Sequence, residues 1–266
     1  MFIYLFFKWV NSEYFCQRKY KILSIVFLIS DFQSDSYKIG LLKQSILSKH
    51  NNIDIVDITH NIRLNNTIEA AFVSKQLQLS DNQRDIVIIR VGKPARLIVY
   101  QHLLNLYILP DNGLLTMLFE QPDFKQVYSI PNNQETQAMQ LFLEGRLNTL
   151  ETAGSSMQIS YNKQLNIHQD FILSEVLFSD KNGNCYFNLK RELFNEFVQG
   201  KKYNIRIQHY TGQVFSEISN SVNDVNPGDA LLTFSHSGYL KLQINLGNAK
   251  QLFRIKDDTK IIIETA

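Results

Sequence analysis

Two short stretches of this 266-residue chain carry residues suited to gripping a polar ligand: Ser30-Asp31-Phe32 and Asp180-Lys181-Asn182-Gly183-Asn184. In each, an acid ends an apolar, strand-like run, residues 22–29 before Asp31 and 171–179 before Asp180. A carboxylate leaving a buried strand emerges at the sheet edge, where open α/β sheets bind ligands. Asp accepts hydrogen bonds and can hold paired sugar hydroxyls or an ammonium group, whereas Asn offers donor and acceptor together, which suits the edge of a base. The pair predicts a nucleoside-like ligand with a cationic arm. Taken alone, either stretch reads first as a cap or a hairpin turn.

The elements that must position these residues follow from periodicity. Residues 21–29 read as a buried strand, and 37–49 carry Ile39, Leu42, Ile46 and Leu47 at helical spacing. Strands are predicted over 53–58, 85–91, 96–100 and 104–109, with helices over 67–79 and 134–145, the latter stopped by Gly145. Strands alternating with helices imply an α/β domain with a largely parallel sheet over residues 21–150. Residues 151–170 are polar and poorly periodic, a predicted linker. Beyond them come short β-like runs at 171–178, 185–189, 203–208, 230–234, 239–244 and 260–264, several separated by Gly-containing turns. These predict an all-β, barrel-like domain over 171–266.

Composition excludes several classes. The net charge is +2, with no basic tail or stripe, so nothing argues for a nucleic-acid partner. Cys16 and Cys185 fit neither a zinc pattern nor a disulfide framework, and the six histidines lack metal-ligand spacing; no metal or cofactor is expected, and a reducing cytoplasm is the default. The apolar run at residues 2–7 is too short to span a bilayer and lacks a basic start, so residues 1–20 are expected to be an appendage outside the fold rather than a membrane anchor.

Several islands occur in one recognisable order. They are S-D-F at 30–32 with Gly40 and Lys43 downstream, V-D-I-T-H-N-I at 56–62, E-A-A-F-V at 69–73, P-D-N-G-L-L at 110–115, D-K-N-G-N at 180–184 and S-G-Y-L-K-L-Q-I-N-L-G-N-A at 237–249. In this the chain resembles the S-adenosylmethionine hydroxide adenosyltransferase family, which also contains fluorinases and chlorinases. The resemblance runs from about residue 21 to the C-terminus. It implies homotrimers in which S-adenosylmethionine, as substrate or ligand, lies between one subunit's N-terminal domain and its neighbour's C-terminal domain. By that likeness Asp31 binds the ribose hydroxyls, Asn184 the adenine edge and Asp180 the methionine ammonium. Ser36 stands where the S-D-F loop has a second acid, and Ser235, His236 and Ser237 lie near the methionine carboxylate.

The implied reaction is displacement at the ribose C5′ with the methionine thioether leaving. A sulfonium is already activated, so such an enzyme mainly positions and desolvates a small nucleophile in line. Family hydrolases resemble one another in placing Asp, Arg and His around the water. Here the sequence departs. The D-P-G-V-G stretch, which supplies the acid, reads Ile89-Arg90-Val91-Gly92-Lys93-Pro94, and the H-G-R-D segment reads P-N-N-Q-E at 131–135. Gln33 replaces a Gly, Asp35 lies one position before the expected acid, Asn182 replaces an aromatic, and Val222 stands where an adenine-stacking aromatic is expected. Asp35, Arg96 and Glu135 are the residues left to take over catalysis.

Other chemistry-bearing residues read as structure. Asp57 and His60 are expected to shape a strand end, Asp111-Asn112-Gly113 to make a turn, and Tyr37 and Tyr239 to pack. His236 reads equally as a ligand group and as a turn residue. Two functions stand at this point: hydrolysis of S-adenosylmethionine to adenosine and methionine by a divergent site, or an inactive adenosyl-nucleoside-binding or structural trimer.

Overall fold

The computed structural model describes residues 24–50, 52–160 and 165–265. The predicted appendage at 1–20 lies outside the described residues. The first domain runs β1 (Ser24–Ser30), α1 (Tyr37–Lys49), β2 (Ile53–Thr59), α2 (Thr67–Ser74), β3 (Ile86–Arg90), β4 (Leu97–His102), β5 (Asn105–Pro110), α3 (Leu114–Leu118), β6 (Val127–Ile130) and α4 (Glu135–Leu143). Among the described residues its sheet has the order β2-β1-β3-β5-β4-β6. β2, β1, β3 and β5 are parallel, and β4 joins antiparallel to both β5 and β6.

β3 explains why the centre of this sheet is apolar throughout. Ile86 and Ile88 face a core shared with Ile46 of α1 and Met139 and Phe142 of α4. Val87 and Ile89 face the opposite core with Ala70 and Ala71 of α2 and Leu114 and Leu115 of α3. A strand covered on both faces has no side chain left for solvent, so its sequence is a continuous apolar run.

The second domain comprises β7 (Asn166–Ile167), β8 (Phe171–Ser179), β9 (Cys185–Lys190), α5 (Arg191–Val198), β10 (Tyr203–Ile207), β11 (Val214–Phe215), β12 (Ala230–Phe234), β13 (Tyr239–Ile244), α6 (Ala249–Leu252) and β14 (Lys260–Thr265). Its strands form a barrel-like antiparallel sheet in the order β11-β10-β14-β8-β9-β13-β12, with β7 on β8. The sequence reading had no helix here. The signal was nevertheless present in Leu193, Phe194, Phe197 and Val198, an i, i+1, i+4, i+5 stripe whose Phe194 and Val198 are buried in α5.

Two further details differ from the sequence expectation. α2 stops at Ser74, not near Leu79, because Gln76 and Leu77 donate to the carbonyls of Val73 and Ser74, three residues back, and the Gln76 amide caps the Phe72 carbonyl at 3.1 Å. Residues 151–160 lie along the first domain: the Ala153 N–H donates to Val127 at 2.8 Å and the Gln158 N–H to the Asp111 carboxylate at 2.8 Å.

The two domains meet at Phe72 of α2. Its ring packs among Phe178, Tyr186 and Tyr239 of the second domain, with centroids 4.6, 4.8 and 5.4 Å away. Among the described residues no helix is long and apolar enough to cross a membrane.

Candidate functional site

The carboxyl ends of the parallel strands gather Asp31 after β1, His60 after β2 and Arg90 ending β3. Asp31 is 7% exposed. Its Oδ2 accepts the backbone N–H groups of Asn65 at 3.0 Å and Gly92 at 2.8 Å, so one oxygen ties together the loops after β2 and β3. Gly92 sits at φ +80, where a Cβ would stand 3.2 Å from the Asn65 side chain, so the loop needs glycine for both conformation and space. Oδ1 makes no hydrogen bond with the described residues, leaving an acceptor for a ligand hydroxyl.

Behind Asp31, Ser30 Oγ and His60 Nδ1 are 2.8 Å apart, and His60 Nε2 lies 3.1 Å from Asp57, which also pairs with Lys43. Burial alone would raise the Asp57 pKa, but hydrogen bonds and charge from Lys43 and His60 outweigh it and hold the carboxyl below its ordinary value. The chain has the residue types of a catalytic triad, yet Ser30 is 2% exposed and His60 8%. A nucleophile that no substrate can touch is a strut, in keeping with the structural role expected for Asp57 and His60. Gln33, where the resemblance expects Gly, has φ 70. The loop has kept a left-handed conformation that a side chain disfavours.

Of the residues proposed to take over catalysis, Asp35 is exposed in the turn before α1, and Ser36 is the N-cap of that helix. Arg96 is committed elsewhere: its guanidinium pairs with buried Asp111 at 2.8 Å and donates to the Ala153 carbonyl and the Ser156 hydroxyl. Asp111 is thus an anchor for residues 153–158 as well as a turn residue. Glu135, the first residue of α4, makes an ion pair with Arg90, their side chains 4% and 17% exposed. Arg90 lies next to Asp31, whose N–H donates to the Arg90 carbonyl at 3.1 Å. The strand end from which the family resemblance expects an acid therefore carries a cation, and the acid comes from α4.

In the second domain, Asp180 organises its own turn. Oδ1 accepts the N–H groups of Asn182 and Asn184, both at 2.9 Å; Oδ2 accepts the Asn184 amide at 2.8 Å and the Tyr186 hydroxyl at 3.3 Å. Gly183, at φ +79, passes so close to Asn248 that a Cβ would lie 2.1 Å from its Oδ1. The loop is locked against the start of α6, whose Lys250 N–H donates to the Gly183 carbonyl. Tyr186, desolvated and facing the Asp180 carboxylate, has its hydroxyl pKa pushed well up, so it donates rather than ionises.

The segment 235–237 faces the first domain of its own chain. The Gln76 amide donates to Ser237 Oγ at 2.6 Å, Ser235 Oγ and Ser237 Oγ are 3.2 Å apart, and His236 meets the Gln78 amide. The structure thus groups Asp180 with Asn184, and Ser235 and Ser237 with Gln76, but no hydrogen bond within the described residues joins Asp31 to Asp180 or Asn184. Tyr239 packs as expected, whereas Tyr37 is 74% exposed and does not.

Two adjacent matches decide the family. Residues 26–153 match the SAM hydroxide adenosyltransferase N-terminal domain, and residues 174–262 match the C-terminal domain of the same family. The chain belongs to the SAM hydroxide adenosyltransferase family. Solved structures agree on the fold: an uncharacterized conserved protein from Thermotoga maritima is 20% identical, with 90% of this chain and 99% of that one covered at a TM-score of 0.74. A conserved hypothetical protein from Thermus thermophilus is 18% identical, with 92% and 100% covered at a TM-score of 0.70. As a SAM hydroxide adenosyltransferase-family chain, this one carries both the N-terminal and the C-terminal domain of the family. Sequence reasoning missed Arg90 as a site residue. The signal was there, since Arg90 ends an otherwise apolar strand, but its partner lies 45 residues away.

Proposed function

We propose that this protein binds an adenosyl ligand, S-adenosylmethionine or a close relative, and hydrolyses it to adenosine and methionine slowly or not at all. The observation that carries this reading is the Arg90–Glu135 ion pair, made by the residue whose carbonyl accepts the Asp31 N–H. Ribose recognition needs an oriented carboxylate with a spare acceptor, and Asp31 supplies it. Hydrolysis needs a group that orients or deprotonates water, and Glu135 holds its carboxylate against a guanidinium. Loss of a general base commonly costs about 10²–10⁴ in rate.

The assembled site on this reading belongs to a homotrimer, with Asp31 of one copy facing Asp180 and Asn184 of the next. Support comes from the two half-sites lying in different domains without a bond between them in one chain. Asp180 already accepts four hydrogen bonds, as many as the about four acceptor positions of a carboxylate, so it would meet an ammonium by exchanging the longest of them, that from the Tyr186 hydroxyl at 3.3 Å.

Calorimetry with S-adenosylmethionine and with adenosine, followed by measurement of adenosine release by the parent and by Asp31→Ala, tests this. The expected result is binding that Asp31→Ala abolishes and turnover far below about one per second, an ordinary enzymatic rate. Parent turnover near that rate, absent in the variant, overturns the slow-turnover reading. Failure to bind either compound overturns the adenosyl reading. Light scattering that finds a monomer at micromolar concentration overturns the trimer.

A further inference from the structure

The two domains of a single chain enclose a second recess, which Asp31, Asp180 and Asn184 do not line and which Ser237 reaches at one edge. Two adjoining cavities of about 280 and 480 Å³ share four wall residues: Lys75, Glu120, Lys190 and Tyr239. The smaller is apolar on the side of α2 and α5, where Ile68, Ala71, Phe72 and Leu193 line it. The larger opens towards Tyr100, His102 and Phe119.

The charges in the shared wall do not cancel. Neither the Lys75 nor the Lys190 ammonium has an ion pair with the described residues. Lys190 stands 5.6 Å from the centroid of the Tyr239 ring. Burial, and then the nearby charge of Lys190, pull the Lys75 ammonium below its ordinary pKa, while Glu120 offsets this only in part. Glu192 lines the smaller cavity alone, so the positive excess, two lysines against one glutamate, lies towards the larger one. A lysine at a helix C-terminus is favourable in its own right, and Lys75 caps α2. That accounts for the position of Lys75 but not for a second lysine brought to it from β9. Lys75, which burial and the charge of Lys190 both penalise, gains most from an anion shared with Lys190.

We propose that this recess binds a small monocarboxylate, with its anionic head between Lys75 and Lys190 and its apolar tail against Ala71, Phe72 and Leu193. The one net positive charge of the shared wall matches a monoanionic head, and the smaller cavity, apolar and lined also by Glu192, favours a hydrocarbon or aromatic tail over a phosphate ester. The recess adjoins the adenosyl half-site at Ser237, which lines the larger cavity, but the two lysines and the apolar wall on which it rests are not part of the adenosyl reading. A ligand held there bridges α2 to β9 and β13, the elements that carry the contact between the domains.

Titration calorimetry of the full chain with 3-phenylpropanoate, and with its neutral amide as the control, tests the assignment. The acid is expected to bind at least about tenfold more tightly than the amide, a difference of about 1.4 kcal/mol. Lys75→Gln and Lys190→Gln are each expected to remove that preference, and Lys75→Arg to retain it. Lys190 is exposed, so Lys190→Gln carries the test if Lys75→Gln disturbs the fold. Equal binding of acid and amide, undiminished binding of the acid to both glutamine variants, or no binding of the acid at millimolar concentration overturns the proposal.

Discussion

Asp31, at the end of β1, uses one carboxylate oxygen on the N–H groups of Asn65 and Gly92, which arrive from two other loops. Asp180, at the end of β8, uses both oxygens on donors no more than six residues away. The first acid is held by tertiary structure and keeps an oxygen free. The second is held by its own turn. A loop that organises itself can be carried on any strand end, whereas Asp31 points correctly only after β1, β2 and β3 have paired. The edge beside Asp31 is therefore where a change in one strand reaches the whole half-site, and Arg90 is such a change.

The largest expected effect tests that dependence. Glu135→Ala leaves Arg90 without its partner in a largely buried position and is expected to cost about 3–5 kcal/mol in denaturant unfolding, whereas Arg90→Met with Glu135→Leu together is expected to be near neutral. A small loss for the single variant would mean that the pair is solvated and the edge less dependent on it.

Next in size is a direct contrast between the acids. Asp31→Ala orphans two backbone donors in buried surroundings and is expected to lower stability by about 2–4 kcal/mol; Asp180→Ala, in a turn that water reaches, is expected to cost about 1 kcal/mol. Equal shifts in the unfolding midpoint would break the comparison. The smallest effect belongs to Gln33→Gly. Gln33 lies at φ 70, so glycine is expected to relieve strain and raise stability by at most about 1 kcal/mol, the entropy of the added glycine cancelling part of the gain. A loss would mean that the side chain makes contacts worth more than the strain.

Much of the frame was legible before any tertiary information. α1 spans Tyr37–Lys49 as its apolar spacing requires, and β12 and β13 fall on Ala230–Phe234 and Tyr239–Ile244 as their runs and flanking turns require. The helix α5 was overlooked although its stripe is regular, because the surrounding β texture outweighed it. The candidate site was legible only where its geometry is local. Asp31, Asp180 and Asn184 announce themselves because an acid or amide after an apolar run is a local pattern. Arg96 read as a catalytic candidate because its commitment to Asp111 and to residues 153–156 is not local.

By itself, the sequence determined where the strands and most of the helices run, that parallel α/β texture gives way to β texture, and that the turn at Asp180 closes on itself. Those are consequences of side-chain periodicity and of short-range hydrogen bonding, both readable within a few residues. Tertiary structure alone decided that Glu135 meets Arg90, that Asp31 joins the loops of Asn65 and Gly92, and that Lys75 and Lys190 share one recess. Each of those depends on which strands pair and how the two domains lean on Phe72, and pairing over such separations is set by the burial of the whole core rather than by any local pattern.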